Sequence, residues 1–157
     1  MGEFWRSLLP RDPRRINNAI AADPAKFCKC VPFELHGDKV PCTKKLSFDV
    51  SSIRSVLAKH PNSILFIGGM FAECMVDADE TIPESTKDKF WRVMSWSFLA
   101  LERGVWPKKT WDNRDFDIAS IDYKMSGKPL AGGWCGQINL LKADSEHVCN
   151  VWDMPGH

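Results

Sequence analysis

The chain has 157 residues, of which 44% are apolar and 26% charged, and its formal net charge is +1. The length suits one domain with a single core, and the composition excludes an intrinsically disordered chain. The near-zero charge gives no general attraction to nucleic acid or to acidic partners. Because the longest apolar run, "SILFIGGMFAECMV", is shorter than the ~20 residues of a membrane-spanning helix, no membrane span is predicted.

The N-terminal residues 1–26 are rich in Arg, Asp, Pro and Asn, so we predict a polar tail there and a single domain over residues 27–157. The first residues, "MGEFWRSLLPRDPRRINN", have no apolar stretch of the kind that a secretory leader contains. Six cysteines without such a leader indicate reduced thiols in an intracellular, reducing compartment, and the sequence does not distinguish the nucleus from an organelle.

Four potential zinc ligands lie in one short segment: Cys28, Cys30, His36 and Cys42. Structural zinc sites usually have two residues between the ligands of a pair, whereas only Lys29 separates Cys28 from Cys30. The spacing therefore favours buried or half-buried free cysteines over a small zinc-binding nucleic-acid module.

Three strands are predicted in the first half of the chain. Cys30–His36 alternates in polarity, and the turn-forming His36-Gly37-Asp38 is expected to end this strand. A second strand has apolar residues at every other position from Leu46 to Val50. The third, "SILFIGGM", is a continuous apolar run of the kind that is buried on both faces. The short connections favour antiparallel hairpins.

A helix is predicted over Glu84–Arg103, where apolar residues recur every three or four positions. Pro83 suits its start and Gly104 its end, and the tryptophans Trp91 and Trp96 are expected to pack against the core.

The following stretch, 105–133, has little periodicity beyond a strand-like pattern around Phe116–Tyr123. A long loop of this kind is typically functional or contains a small hairpin. Its aspartates, Asp112, Asp115 and Asp117, lack the spacing of a calcium loop and are predicted to form a solvated acidic surface.

A fourth strand is predicted over Trp134–Leu141, with a short C-terminal helix beginning after Asp144. The element order is thus strand, strand, strand, helix, strand, helix, which indicates the α+β or α/β class.

Two strands are followed by an aspartate, Asp38 in the first case and Asp144 in the fourth. If these strands are parallel neighbours, the two carboxylates converge at one edge of the sheet, where Mg²⁺ or Mn²⁺ would neutralise them and activate water for phosphodiester cleavage. His36, His147 and Glu146 lie close to the two acids in sequence and could support them as outer ligands. The alternative is ordinary local chemistry, with Asp38 in a turn and Asp144 capping a helix.

Several segments resemble mobile-element-derived open reading frames of algal protists. They are "VPFELHGDKVPCTKKLSFDV", "WSFLALERGVWP", "GKPLAGGW" and "LLKADSEHVCNVWDMPGH", in this order. The last one also resembles the block of cut-and-paste transposases in which a catalytic aspartate ends the fourth strand. The resemblance implies a ribonuclease-H-like fold with three antiparallel strands, a helix, a parallel fourth strand and a short C-terminal helix. It also implies DNA as the partner and Asp38 and Asp144 as catalytic metal ligands.

The sequence departs from that pattern at three points. Lys39 stands where the related phrase has glycine after the first acid, and places there a cation that would weaken metal binding or contact phosphate. Ala143 replaces the glycine before Asp144, and the chain ends at His157, before the Cys-rich insertion and the third acid.

We therefore expect a domesticated, transposase-derived domain whose metal-dependent chemistry is degenerate or absent. The alternative is a non-catalytic structural or interaction subunit of a larger assembly. Seven tryptophans would suit that role, because tryptophan is enriched among the residues that dominate protein interfaces.

Overall fold

The computed structural model describes residues 1–8, 11–12, 24–44 and 46–143. The strands are β1 (Cys30–Pro41), β2 (Ser47–Ser55), β3 (Leu65–Phe71) and β4 (Cys135–Lys142), and the helices are α1 (Gly2–Ser7), α2 (Thr86–Arg103) and α3 (Ile121–Met125). The sheet order is β3-β2-β1-β4, with the first three strands antiparallel and β4 parallel. The predicted α+β class and the antiparallel hairpins are confirmed, and β4 lies beside β1 as the two-aspartate hypothesis requires.

The predicted long helix and fourth strand are both confirmed to within two residues at each end. Ser85 caps helix α2, since its Oγ accepts a hydrogen bond from the Asp88 N–H at 3.0 Å and donates to the Asp88 carboxylate at 2.6 Å. None of the helices in the described ranges combines the length and the apolar character that a membrane crossing needs.

The chain folds into two compact units. The first comprises residues 1–32 and 93–137, and the described part of the second comprises residues 33–92 and 138–143. Strands β1 and β4 and helix α2 each contribute residues to both units. The boundaries of the predicted single domain, 27–157, remain a prediction.

The core of the first unit includes the N-terminal helix, which the sequence had suggested was part of a polar tail. Trp5 on α1 is 2% exposed, and its indole N–H donates to the Cys30 carbonyl at 2.9 Å. Buried around it are Leu8, Phe27, Cys30 and Cys135. Residues 1–8 therefore do not form a tail, because one large apolar ring and its hydrogen bond hold α1 against β1.

The second unit is organised by the β1–β2 ladder. Leu35 lies opposite Ile53, and both side chains are buried. On β3, a Cβ added at Gly68 would lie 2.7 Å from the Phe90 ring, so the absent side chain lets the first turns of α2 approach the sheet closely. Residues Leu35, Ile53 and Phe90 thus belong to the packed side of this sheet.

The expectation that His36-Gly37-Asp38 ends the first strand is wrong. Strand β1 continues to Pro41, with Asp38 opposite Val50, and the chain reverses only after Pro41. Gly-Asp favours a turn by its local chemistry, but here the continuing ladder with β2 overrides that preference.

The expectation that the third strand is buried on both faces is also wrong. Strand β3 is the last strand of the sheet order, and Leu65 and Phe66 are 63% and 62% exposed. A continuous apolar run does not distinguish a central strand from an edge strand. How far a strand is buried depends on the elements that pack beside it, and its own sequence does not show them.

The strand-like pattern around Phe116–Tyr123 instead contains the start of helix α3, which Ser120 caps by accepting the Tyr123 N–H. The predicted helix after Asp144 lies outside the described residues.

Replacing Trp5 with alanine should lower the free energy of unfolding by about 3–5 kcal/mol, because a buried ring and its hydrogen bond are lost together. Urea unfolding measures this change. The matched control is Trp134→Ala, at an indole that is 40% exposed, where about 0.5 kcal/mol or less is expected. Equal, small effects at both positions would mean that residues 1–8 do behave as a tail.

Candidate functional site

The predicted metal site is only partly within the described residues. Asp38 is exposed on the last third of β1, and its Oδ1 accepts the Lys39 backbone N–H at 2.8 Å. Asp144, Glu146 and His147 lie outside the described residues, so the distance between the two acids stays untested. Across the described ranges, no three His, Cys, Asp or Glu side chains come together closely enough to hold a metal ion.

The four potential zinc ligands are not gathered into one place. Cys30 begins β1 and Cys42 follows its end; this strand of 12 residues spans roughly 35 Å at the usual rise per residue. His36 lies between them on the same strand. Extended structure therefore separates residues that are close in sequence.

Free thiols are confirmed for the five described cysteines, but the expected burial is found only for Cys30 and Cys135 of the first unit, because Cys28, Cys42 and Cys74 are exposed. Burial raises the pKa of the Cys30 thiol, and the neighbouring Cys135 thiol raises it further. A thiol held protonated in this way is a poor nucleophile and a poor metal ligand, so this pair belongs to the core.

The best-formed cavity of the first unit lies between the last turns of α2 and the segment that follows it, and we call it the tryptophan pocket. Its volume is about 460 Å³, within the range of small-molecule sites. Three half-buried indoles line it, together with three exposed cations and several small or apolar residues. The indoles are Trp96, Trp106 and Trp111, and the cations are Arg103, Lys108 and Lys109.

A hydrogen bond holds the two walls of the tryptophan pocket together. The indole N–H of Trp96, on α2, donates to the carbonyl of Lys109 at 2.9 Å. This bond fixes the orientation of the Trp96 ring, and it also holds the segment around Lys109 close to helix α2. Sequence analysis assigned Trp96 to the core, and it lines a cavity instead.

Backbone hydrogen bonds fix the position of Trp106. Its N–H donates to the Lys128 carbonyl at 2.9 Å, and its own carbonyl accepts the Gly127 N–H at 3.0 Å. Helix α2 ends at Gly104, where φ is +67° and a Cβ would lie 3.1 Å from the Trp134 carbonyl. Glycine is thus needed there for both conformation and space, which sets the direction in which the chain leaves the helix.

A tight hairpin carries Trp111 and closes one side of the pocket. Lys109 pairs with Asp115 across it, and Asn113 adopts a φ of +65° at the turn. Inside this hairpin, Asp112 accepts hydrogen bonds from Arg114 and from the Thr110 hydroxyl, which together hold the pKa of the Asp112 carboxyl at about 2. This carboxylate therefore stabilises the hairpin through these two contacts.

The lining of the pocket is electrically one-sided. No Asp or Glu is among the described residues that line it, whereas three cations are. Lys109 has a single exposed partner, Asp115, at 3.8 Å, and such a pair contributes little attraction in water. Arg103 lies in the last turn of α2, where the helix dipole favours a cation. The pocket thus suits a ligand that combines negative charge with a planar ring.

The lining offers little for catalysis. It contains no imidazole, thiol or carboxylate in the described part of the chain, and its one hydroxyl, on Thr110, is already hydrogen-bonded to Asp112. General acid–base chemistry needs a titratable group that can reach the substrate. The described lining thus consists mainly of aromatic faces and cationic donors.

One sequence signal could have found this site. Residues 106–111 read Trp-Pro-Lys-Lys-Thr-Trp, in which cations stand between two aromatic residues, as they do in surfaces that bind single-stranded nucleic acid. The contribution of Trp96 and Arg103 could not be read in this way, because it depends on the fold bringing α2 alongside this segment.

Comparisons with protein-family models, with curated protein sequences and with solved structures each give no match.

The Asp112 carboxyl should titrate near pH 2 in the wild type, and Arg114→Ala should move its pKa upward toward the ordinary 3.8. Since folding lowers this pKa, the hairpin contact stabilises the loop above about pH 4 and is lost as the pH falls through the folded-state value. Carbon NMR titration of the carboxyl measures both midpoints, with Lys124→Gln as the control. An unchanged midpoint in Arg114→Ala would contradict this account.

Proposed function

We propose that this chain is a non-catalytic nucleic-acid-binding domain, and that the tryptophan pocket holds a base and phosphate of a single strand. The observation that supports the proposal is the lining of that pocket, in which three indoles stand beside three cations and no carboxylate.

The energetics of such a site come from two sources. Stacking of a base on an aromatic side chain contributes about 1–3 kcal/mol, and it tolerates any base because every base has a planar face. Cations placed beside the ring attract the phosphate that follows the base. A pocket of about 460 Å³ is large enough for one nucleotide but not for a tract of them.

The concave form of the pocket favours an unpaired base. In a duplex each base is stacked on its neighbours and cannot reach an indole ring inside a cavity without being extruded, which costs a few kcal/mol. A single strand already has accessible faces. We therefore expect single-stranded nucleic acid to bind more tightly than duplex of the same sequence.

The fold is compatible with this function. The strand order β3-β2-β1-β4, with α2 before a parallel β4, is compatible with a ribonuclease-H-like layout, and a transposase-related, mobile-element origin is part of the proposal. On this proposal DNA remains the partner, and the domain acts through binding. The net charge of +1 adds nothing to the attraction, so the cations of the pocket must supply it locally.

The proposal is tested by anisotropy of a labelled thymidine dodecamer. Trp106→Ala and Trp111→Ala should each weaken binding by roughly 5- to 150-fold, since each removes a stacking surface. The affinity should fall with salt with a log–log slope of about −0.7, because the pocket neutralises one phosphate of the single strand.

Two variants outside the pocket serve as controls in that experiment. Trp134→Ala removes an exposed indole and Lys124→Gln an exposed cation, and neither residue lines the pocket. Both should bind as the wild type does. If the dodecamer does not bind, or if Lys124→Gln weakens binding as much as Trp106→Ala, the proposal fails and the alternative of a protein-docking subunit gains support.

A second candidate is Mg²⁺- or Mn²⁺-dependent phosphodiester cleavage at Asp38 and Asp144. It is favoured by the position of β4 beside β1 in the sheet, since Asp144 follows the end of β4 in sequence. His36, Glu146 and His147 would support the metal ligands, and Lys39 would contact phosphate. A zinc-binding role for Cys28, Cys30, His36 and Cys42 has no such support.

Calorimetry with Mn²⁺ tests the second candidate. Asp38→Asn and Asp144→Asn should each abolish binding if one site needs both carboxylates, whereas Asp77→Asn, at an exposed acid in the second unit, should not. Mn²⁺ binding that survives either of the first two substitutions would rule out a shared two-acid site.

A further inference from the structure

A second, smaller cavity lies entirely within the second unit and has a different lining. Its volume is about 130 Å³, roughly the space that four water molecules occupy in the liquid. It is lined by Glu34, His36, Ser52, Arg54, Ile64 and Lys142. The space is large enough for a tetrahedral oxyanion.

The register of the β1–β2 pair builds most of this cavity. His36 lies directly opposite Ser52, and Glu34 lies opposite Arg54. Since residues two apart on a strand share a face of the sheet, these two cross-strand pairs stand side by side on one face. Lys142, at the end of β4, adds a cation to the same cavity.

The cavity has more hydrogen-bond donors than acceptors once its one carboxylate is paired. Glu34 is 6% exposed and accepts two hydrogen bonds from Arg54, at 3.1 and 3.3 Å, so this carboxylate is already neutralised. The guanidinium keeps its remaining N–H groups for another acceptor. Among the described residues neither His36 nor Lys142 has an ion-pair partner, and Ser52, which is 7% exposed, adds a hydroxyl to the lining.

We propose that this cavity is a phosphate-binding site formed by His36, Ser52, Arg54 and Lys142. An ammonium, a guanidinium, an imidazole and a hydroxyl all donate to oxygen, and phosphate offers them acceptors on every side. The ammonium of Lys142 and the guanidinium of Arg54 repel a divalent cation. This part of the sheet, where sequence reasoning placed His36 as an outer ligand of a metal, therefore takes an anion.

Two sources could supply the phosphate, namely free inorganic phosphate and the terminal phosphate of a nucleic-acid strand. Both present the same oxygens to the cavity. The site does not depend on the tryptophan pocket, and each can be present without the other.

Calorimetry with inorganic phosphate at constant ionic strength tests the site. We expect millimolar or tighter binding to the wild type, and at least a tenfold loss in Lys142→Gln and in His36→Ala, because each removes a hydrogen bond to a charged ligand. Lys59→Gln, at an exposed lysine that does not line the cavity, is the matched control. Lys142 is itself exposed, so its variant should keep the fold, as circular dichroism would verify.

Dodecamers with and without a 5′-phosphate identify the source. A tighter affinity for the phosphorylated strand that disappears in Lys142→Gln assigns the site to a strand terminus, and equal affinities assign it to free phosphate. No heat of binding with inorganic phosphate, or an equal loss in Lys59→Gln, would overturn the proposal.

Discussion

The antiparallel register between β1 and β2 is the constraint on which the second unit depends. It places Leu35 opposite Ile53 on one face and His36 opposite Ser52 on the other. A shift of one residue would turn the side chains of one strand to the opposite face, so that Leu35 and Ile53 would no longer pack on the same side of the sheet. The same register carries Asp38 into the ladder, away from any turn. The register of β1 against β2 thus determines both which apolar side chains pack together and which polar side chains lie side by side.

The first unit depends on indole groups used in two ways. Trp5 is buried completely and donates its N–H to the Cys30 carbonyl, so its ring acts as packing volume. Trp96 makes the equivalent bond to Lys109 but keeps part of its ring facing a cavity. In both cases the indole N–H donates a hydrogen bond to a backbone carbonyl. The two tryptophans therefore differ only in how far the face of the ring is exposed. Burial makes Trp5 part of the core, whereas partial exposure leaves one face of Trp96 open to a cavity.

Elements with a strong period of their own could be predicted from sequence. Helix α2 and strand β4 have clear periodicity and end signals, and both occur where expected. The fate of Gly37-Asp38 could not be predicted, because the local preference for a turn competes with ladder bonds whose partners lie on another strand. The burial of Trp5 was missed for a similar reason: a short, polar N-terminal segment shows no periodicity, and its partners Phe27 and Cys135 are distant in sequence. Of the candidate sites, the Trp-Pro-Lys-Lys-Thr-Trp segment was visible, but the pairing of His36 with Ser52 was not.

Strand β3 has a consequence for how the protein behaves at high concentration. Its outer edge has no ladder partner among the described residues, and the sequence Leu65–Phe71 contains neither a proline nor a charge. Natural edge strands are commonly protected by lysine, proline or a bulge against pairing with another copy. Strand β3 does have one irregularity, because Ser51 and Ser52 of β2 lie opposite Gly68 and Phe66, which leaves Ile67 as the extra residue of a bulge in β3. The bulge interrupts the edge at Ile67 and leaves the exposed Leu65 and Phe66 as the part that could accept a strand from another molecule, so a single lysine at Phe66 is the smallest change that would close it.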